Sequence, residues 1–123
     1  MLKTTMFLVA ATAGLVACGS SAIPADKLAR SEAAVRSAHE LGAEKNPNAA
    51  LHLKLAQEQL AQGKALIKDG ENKRAEYILA RAEADAEVAM NLSRQSVAKA
   101  EAAETLQNVQ KAKQSAVIQQ GGQ

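Results

Sequence analysis

Residues 46–70 read NPNAALHLKLAQEQLAQGKALIKDG, and the two ends and the spacing of this stretch decide the fold. Asn46 is a good N-cap, and Pro47 suits the first helical position, where a missing N–H leaves no partner unmet. Asp69-Gly70 supplies the stop, because glycine takes the left-handed conformation just past a helix end without strain. Between them Ala49, Leu53, Ala56, Leu60, Gly63 and Ile67 recur at spacings of four and three, which places them on one helical face. Leu51, Leu55 and Leu66 widen that face, so this helix is expected to touch two neighbours. Gly63 costs about 1 kcal/mol relative to alanine inside a helix. Its place in the seam predicts close approach of another backbone.

Working outward, a third helix begins near Glu71 and meets no glycine or proline before Gly121. Its seam is Ala75, Leu79, Ala82, Ala86, Ala89 and Ser93, spaced four and three again. Two small-residue seams joined by a short turn predict an antiparallel pair packed more closely than a leucine-rich one, with charges such as Arg81 and Asp85 on the outside. Upstream, a first helix is expected from Ala25 to Leu41, with Leu28, Ser31, Val35, Ala38 and Gly42 on its inner face. Gly42 to Asn46 breaks it. The expected fold is all-α, a small antiparallel three-helix arrangement with a long, partly overhanging C-terminal helix. Residues 25–119 form the helical domain and 120–123 a disordered tail. A helix from Pro47 to Asp69 covers its antiparallel partner only to about Arg94. From Gln95 to Gln119 the third helix is therefore expected to project past the first turn by roughly 35 Å. That projection keeps an apolar line of Ala98, Ala102, Leu106, Val109, Ala112 and Ala116, a candidate docking stripe for an envelope protein or a second copy.

Pro47, Leu60, Gly63, Ile67, Gly70, Ala75, Leu79-Ala80, Ala82 and Asp85-Ala86 together resemble the domain-of-unknown-function family 4398, a family of alanine-rich bacterial helical lipoproteins. The resemblance covers roughly residues 22–94. The hairpin around Gly70 and Ala75 also resembles one tetratricopeptide unit. A lone unit cannot bury its own faces, so the first helix is expected to cover it.

At the other end, Lys3 precedes an apolar run from Met6 to Val16. Eleven residues at helical rise reach about 16 Å, half of a hydrocarbon core, so the run reads as a secretory signal rather than a span. It ends Leu15-Val16-Ala17-Cys18, which resembles the lipobox of bacterial lipoproteins and contains the sole cysteine of the chain. The resemblance implies cleavage between Ala17 and Cys18 and a covalent lipid on Cys18. Residues 1–17 would then be removed, and residues 18–24 would form a lipidated tether. Two buried acyl chains already hold a protein stably at a membrane. Gly19 stands where an aspartate would signal inner-membrane retention, so the resemblance implies the periplasmic face of the outer membrane.

After Cys18 the chain has 106 residues, no phenylalanine or tryptophan, and Tyr77 as its sole aromatic. Leucine, isoleucine and valine supply only 19 of these and alanine 24, which predicts real helices around a thin core. With Lys3 gone, 14 basic residues face 13 acidic ones. That balance gives no argument for nucleic acid or for attraction to anionic lipid. His39 and His52 bracket the first turn and could meet there with Glu40 or Glu44, but the spacing matches no metal motif and no metal is expected. Glu83, Asp85 and Glu87 read as a solvated face. With no nucleophile–base arrangement or phosphate loop, neither enzymatic activity nor a cofactor beyond the Cys18 lipid is expected. The function read from the residues is a membrane-anchored helical interaction or envelope-structural module. An accessory subunit that activates an envelope enzyme and a membrane-active amphipathic protein are the alternatives.

Overall fold

The computed structural model describes residues 22–120, and Cys18 with its cleavage site lies outside them. The described residues form three helices, α1 (Ala25–Glu40), α2 (Pro47–Lys68) and α3 (Asn72–Gln120), with a 3-10 turn at Ala43–Lys45. The expected all-α arrangement is present, and α3 continues through Gln120, one residue beyond the expected end.

Local chemistry explains each boundary. The Asn46 side chain accepts hydrogen bonds from the backbone N–H groups of Asn48 (3.0 Å) and Ala49 (3.3 Å), and Pro47 opens the helix. At the other end of α2, Gly70 has φ +74°. The Gly70 N–H donates to Ile67 O (3.1 Å) and the Glu71 N–H to Leu66 O (2.9 Å). This is the paired 5→2 and 6→1 pattern that satisfies the last carbonyls of a helix and reverses the chain. The turn between α1 and α2 is more ordered than a simple break. Gly42 is left-handed at φ +71°, and the 3-10 turn after it buries Ala43 completely.

The hairpin of α2 and α3 is the main packing unit; α1 lies chiefly on α3 and touches α2 less. The whole α3 seam is buried as expected: Ala75, Leu79, Ala82, Ala86, Ala89 and Ser93. On α2, Ala49, Leu53, Ala56 and Gly63 are buried, but Gln59 and Leu66 take the places expected for Leu60 and Ile67. Leu60 and Ile67 are half-buried, and Leu51 is 57% exposed instead of widening the face. At Leu60 the cause is an interhelical hydrogen bond. The Gln59 amide reaches Asp85 on α3 and is drawn into the interface, while Leu60 turns to the groove beside Val35 of α1.

Gly63 does sit in a tight contact, but the neighbour is a side chain. A Cβ at this position would lie 2.6 Å from Leu79 Cδ2 and 2.8 Å from its Cγ, whereas the nearest backbone atom, Ala75 O, is 3.8 Å away. Leu79 is fully buried and fills the space that glycine leaves. Burial along α3 ends at Ser93, and every residue from 97 to 118 is exposed. The overhang therefore exists as expected. Leu41 shares a surface groove with Val97 and Ala98, so α3 passes the Gly42–Asn46 end of the bundle.

Candidate functional site

One polar cluster joins α2 to α3. His52 and Gln59 are seven residues apart, two turns of α2, and so share a face. Asp85 opposes them from the edge of the α3 seam, beside Ala86. His52 Nδ1 lies 2.9 Å from Asp85 Oδ1, and Gln59 Nε2 donates to Asp85 Oδ2 at 2.8 Å. An ionised carboxylate only accepts, so His52 Nδ1 carries the proton in this bond. The His52 and Asp85 side chains are 32% and 22% exposed. Burial works to raise the Asp85 carboxyl. The hydrogen bonds from His52 and Gln59 and the charges of His52 and Arg81 outweigh it, and they hold Asp85 below the ordinary aspartate range.

These contacts correct two expectations, those for Asp85 and Glu83. Asp85 does not belong to a solvated outer face; it points into the hairpin. Glu83 is half-buried against Lys27 of α1 (3.7 Å), which leaves Glu87 as the exposed member of that trio. His39 and His52 do not form a joint site, because His39 pairs with Glu44 (3.3 Å) and His52 with Asp85. Among the described residues no group of three or more His, Cys, Asp or Glu side chains is placed to hold a metal ion.

An aspartate that orients a histidine leaves Nε2 as a potential base, but such a base needs a reacting group beside it. The hydroxyls of Ser31, Ser93, Ser96, Thr105 and Ser115 donate to carbonyls of their own helices instead. What the cluster does with its own atoms is to lock the register of α2 against α3. The clue in the sequence was the pairing of His52 and Gln59 at seven-residue spacing along the α2 seam. An apolar count passes over it.

The second candidate is the overhang. Ala98, Ala102, Leu106, Val109, Ala112 and Ala116 are all exposed; Leu106 is 64% and Val109 45% accessible. Val117 and Ile118 near its end are also exposed and form an apolar patch with Lys113 and Gln114. No helix among the described residues is long and apolar enough to cross a membrane.

In comparisons with known proteins, the family described as Domain of unknown function (DUF4398) matches residues 26–105. No curated protein and no solved structure matches the chain. The matched segment holds the three-helix bundle, the His52–Gln59–Asp85 cluster and the first part of the overhang.

Proposed function

The chain belongs to the DUF4398 family, and from that premise we propose that it is a non-enzymatic lipoprotein of the outer membrane, anchored through Cys18 and presenting a helical arm to a partner in the periplasm. The observation that carries this reading is the division of α3. Its first half is packed on one face into the bundle, and its second half exposes an apolar line with nothing laid on it among the described residues. Ordinary surfaces scatter single hydrophobic residues, whereas a helix with Leu106 and Val109 on the stripe of Ala98, Ala102, Ala112 and Ala116 offers a surface for a second helix. The Leu-Val-Ala-Cys run supports the anchor. The covalent lipid is the one non-protein group this reading requires, and nucleic acid has no part in it.

Truncation after Arg94 tests the arm. In cells, a photo-cross-linker at an exposed bundle position such as Ala84 serves as control, and one at Leu106 in the full chain reports the partner. The Leu106 probe is expected to capture a discrete partner or a second copy. The shortened chain is expected to lose that complex while keeping its fold. Survival of every complex after truncation sinks the proposal.

A further inference from the structure

Tyr77 is the sole aromatic after Cys18, yet it is 75% exposed, although the core is built largely of alanine and a buried ring would add much apolar area. It sits on the outer face of α3, with Lys73 four residues before it, Arg81 four residues after it and Arg74 one turn away. Ala80 and Ala84 beside it leave the ring standing clear. At 3.6 residues per turn no acidic residue of α3 falls within about 60° of the Tyr77 direction. Glu76 and Glu83 lie toward α1, and Asp85 toward α2. Arg74 bonds to Glu71 at the turn, so Lys73 and Arg81 are the cations that frame the ring. A net charge near zero hides this placement.

The location adds an independent argument. Ala22, Pro24 and Arg30 share a surface pocket with Glu76, the residue before Tyr77. Ala22 follows Cys18 by only four positions, a span of at most about 14 Å. A lipid on Cys18 therefore brings this end of the bundle to the headgroups. Tyrosine, apolar in its ring and polar at its tip, suits that interface, and each nearby Lys or Arg is drawn to an anionic leaflet.

We propose that the Lys73–Tyr77–Arg81 face of α3 docks on anionic phospholipid headgroups and sets how the anchored molecule is oriented on its membrane. This rests on the anchor reading at Cys18. Because the chain has one tyrosine and no tryptophan, tyrosine fluorescence reports this one position. The protein purified from membranes of cells that express the full chain is reconstituted in vesicles of phosphatidylcholine alone and in vesicles that also contain phosphatidylglycerol, and Tyr77 is quenched with acrylamide. Quenching is expected to fall about twofold in the anionic vesicles, an effect that high salt removes. Lys73→Glu with Arg81→Glu is expected to abolish the difference, and Lys73→Arg with Arg81→Lys to retain it. Equal quenching in both vesicles overturns the proposal. Attachment to phosphatidylcholine vesicles reads the anchor separately. A chain that fails to attach there but shows protected Tyr77 on anionic vesicles overturns the anchor reading and upholds the surface.

Discussion

Gly63 and Leu79 fit each other as a hole and a plug. Because Leu79 is fully buried and its Cγ and Cδ2 occupy the space of a Cβ at 63, the glycine is needed for volume rather than for backbone freedom. Gly63→Leu is therefore expected to destabilise the protein by about 1–3 kcal/mol despite a better helix propensity, measured by thermal or urea unfolding. An unchanged or raised melting temperature would show that the hairpin does not close on this residue. The tight place was legible from the glycine's position in a seam, but its filler was not, because helical spacing does not say which side chain of the facing helix meets a gap. Asp85 was hidden for a related reason: one charged residue beside a seam looks the same in sequence whether it faces water or a partner. Its folded carboxyl is held below the ordinary range by the His52 and Gln59 hydrogen bonds and the nearby charges, against the cost of burial. A depressed folded value means the stabilisation is present above the unfolded aspartate value and is lost as pH falls through the folded one. Asp85→Asn should cost about 1–2 kcal/mol near neutrality. The gap between wild type and variant should narrow below about pH 4 in urea titrations. A gap that stays constant into acid would remove the ionised cluster from the account of stability.

At the scale of elements, the caps and seams differ in how far sequence exposes them. Asn46-Pro47 and Asp69-Gly70 act through their own backbone neighbours, so a local reading suffices, and both ends of α2 lie where those residues place them. The α3 seam was equally legible, because its 4-3 spacing matches the repeat along which paired helices keep facing each other. On α2 the same rule failed at Leu60, where a polar residue with a waiting carboxylate displaced an apolar one, and at Ile67, where Leu66 is buried in its stead. Long-range pairing decided that position. The overhang follows from lengths alone: α2 has 22 residues and α3 has 49, so about half of α3 finds no cover. Residues 97–118 are all exposed, and truncation after Arg94 is expected to leave the melting temperature within a few degrees, roughly the shift a sub-kcal change produces in a domain of this size. A large drop would mean that the overhang stabilises the bundle in a way its exposure denies.

For the whole molecule, the ends of the bundle have different surroundings, and that asymmetry gives the proposed anchor its consequence. The start of α1 lies beside the first turns of α3, while α3 leaves the bundle past the Gly42–Asn46 turn at the other end. A chain held at Cys18 would keep its Tyr77 end at the membrane; at 3.6 residues per turn Leu106 and Val109 fall within about 40° of the Tyr77 direction, so docking of the Tyr77 face and presentation of the arm to a partner are two alternative orientations of the anchored molecule. At helical rise the 49 residues of α3 extend about 74 Å, enough to reach well beyond the headgroups if the helix stands away from the surface. Without the lipid, nothing in a bundle of modest charge and small core would hold it there: the Tyr77 face alone offers two cations and one ring, a weak attachment beside buried acyl chains. Cys18→Ala is therefore expected to leave an unprocessed precursor that takes up no labelled fatty acid and no longer fractionates with the outer membrane. Its bundle should be intact, with the same unfolding transition once purified, since residue 18 precedes the first helix by seven positions. The combination separates address from fold. If the variant still fractionates with the outer membrane, the arm or the Tyr77 face must suffice for attachment, and the lipid-anchored reading of the molecule falls.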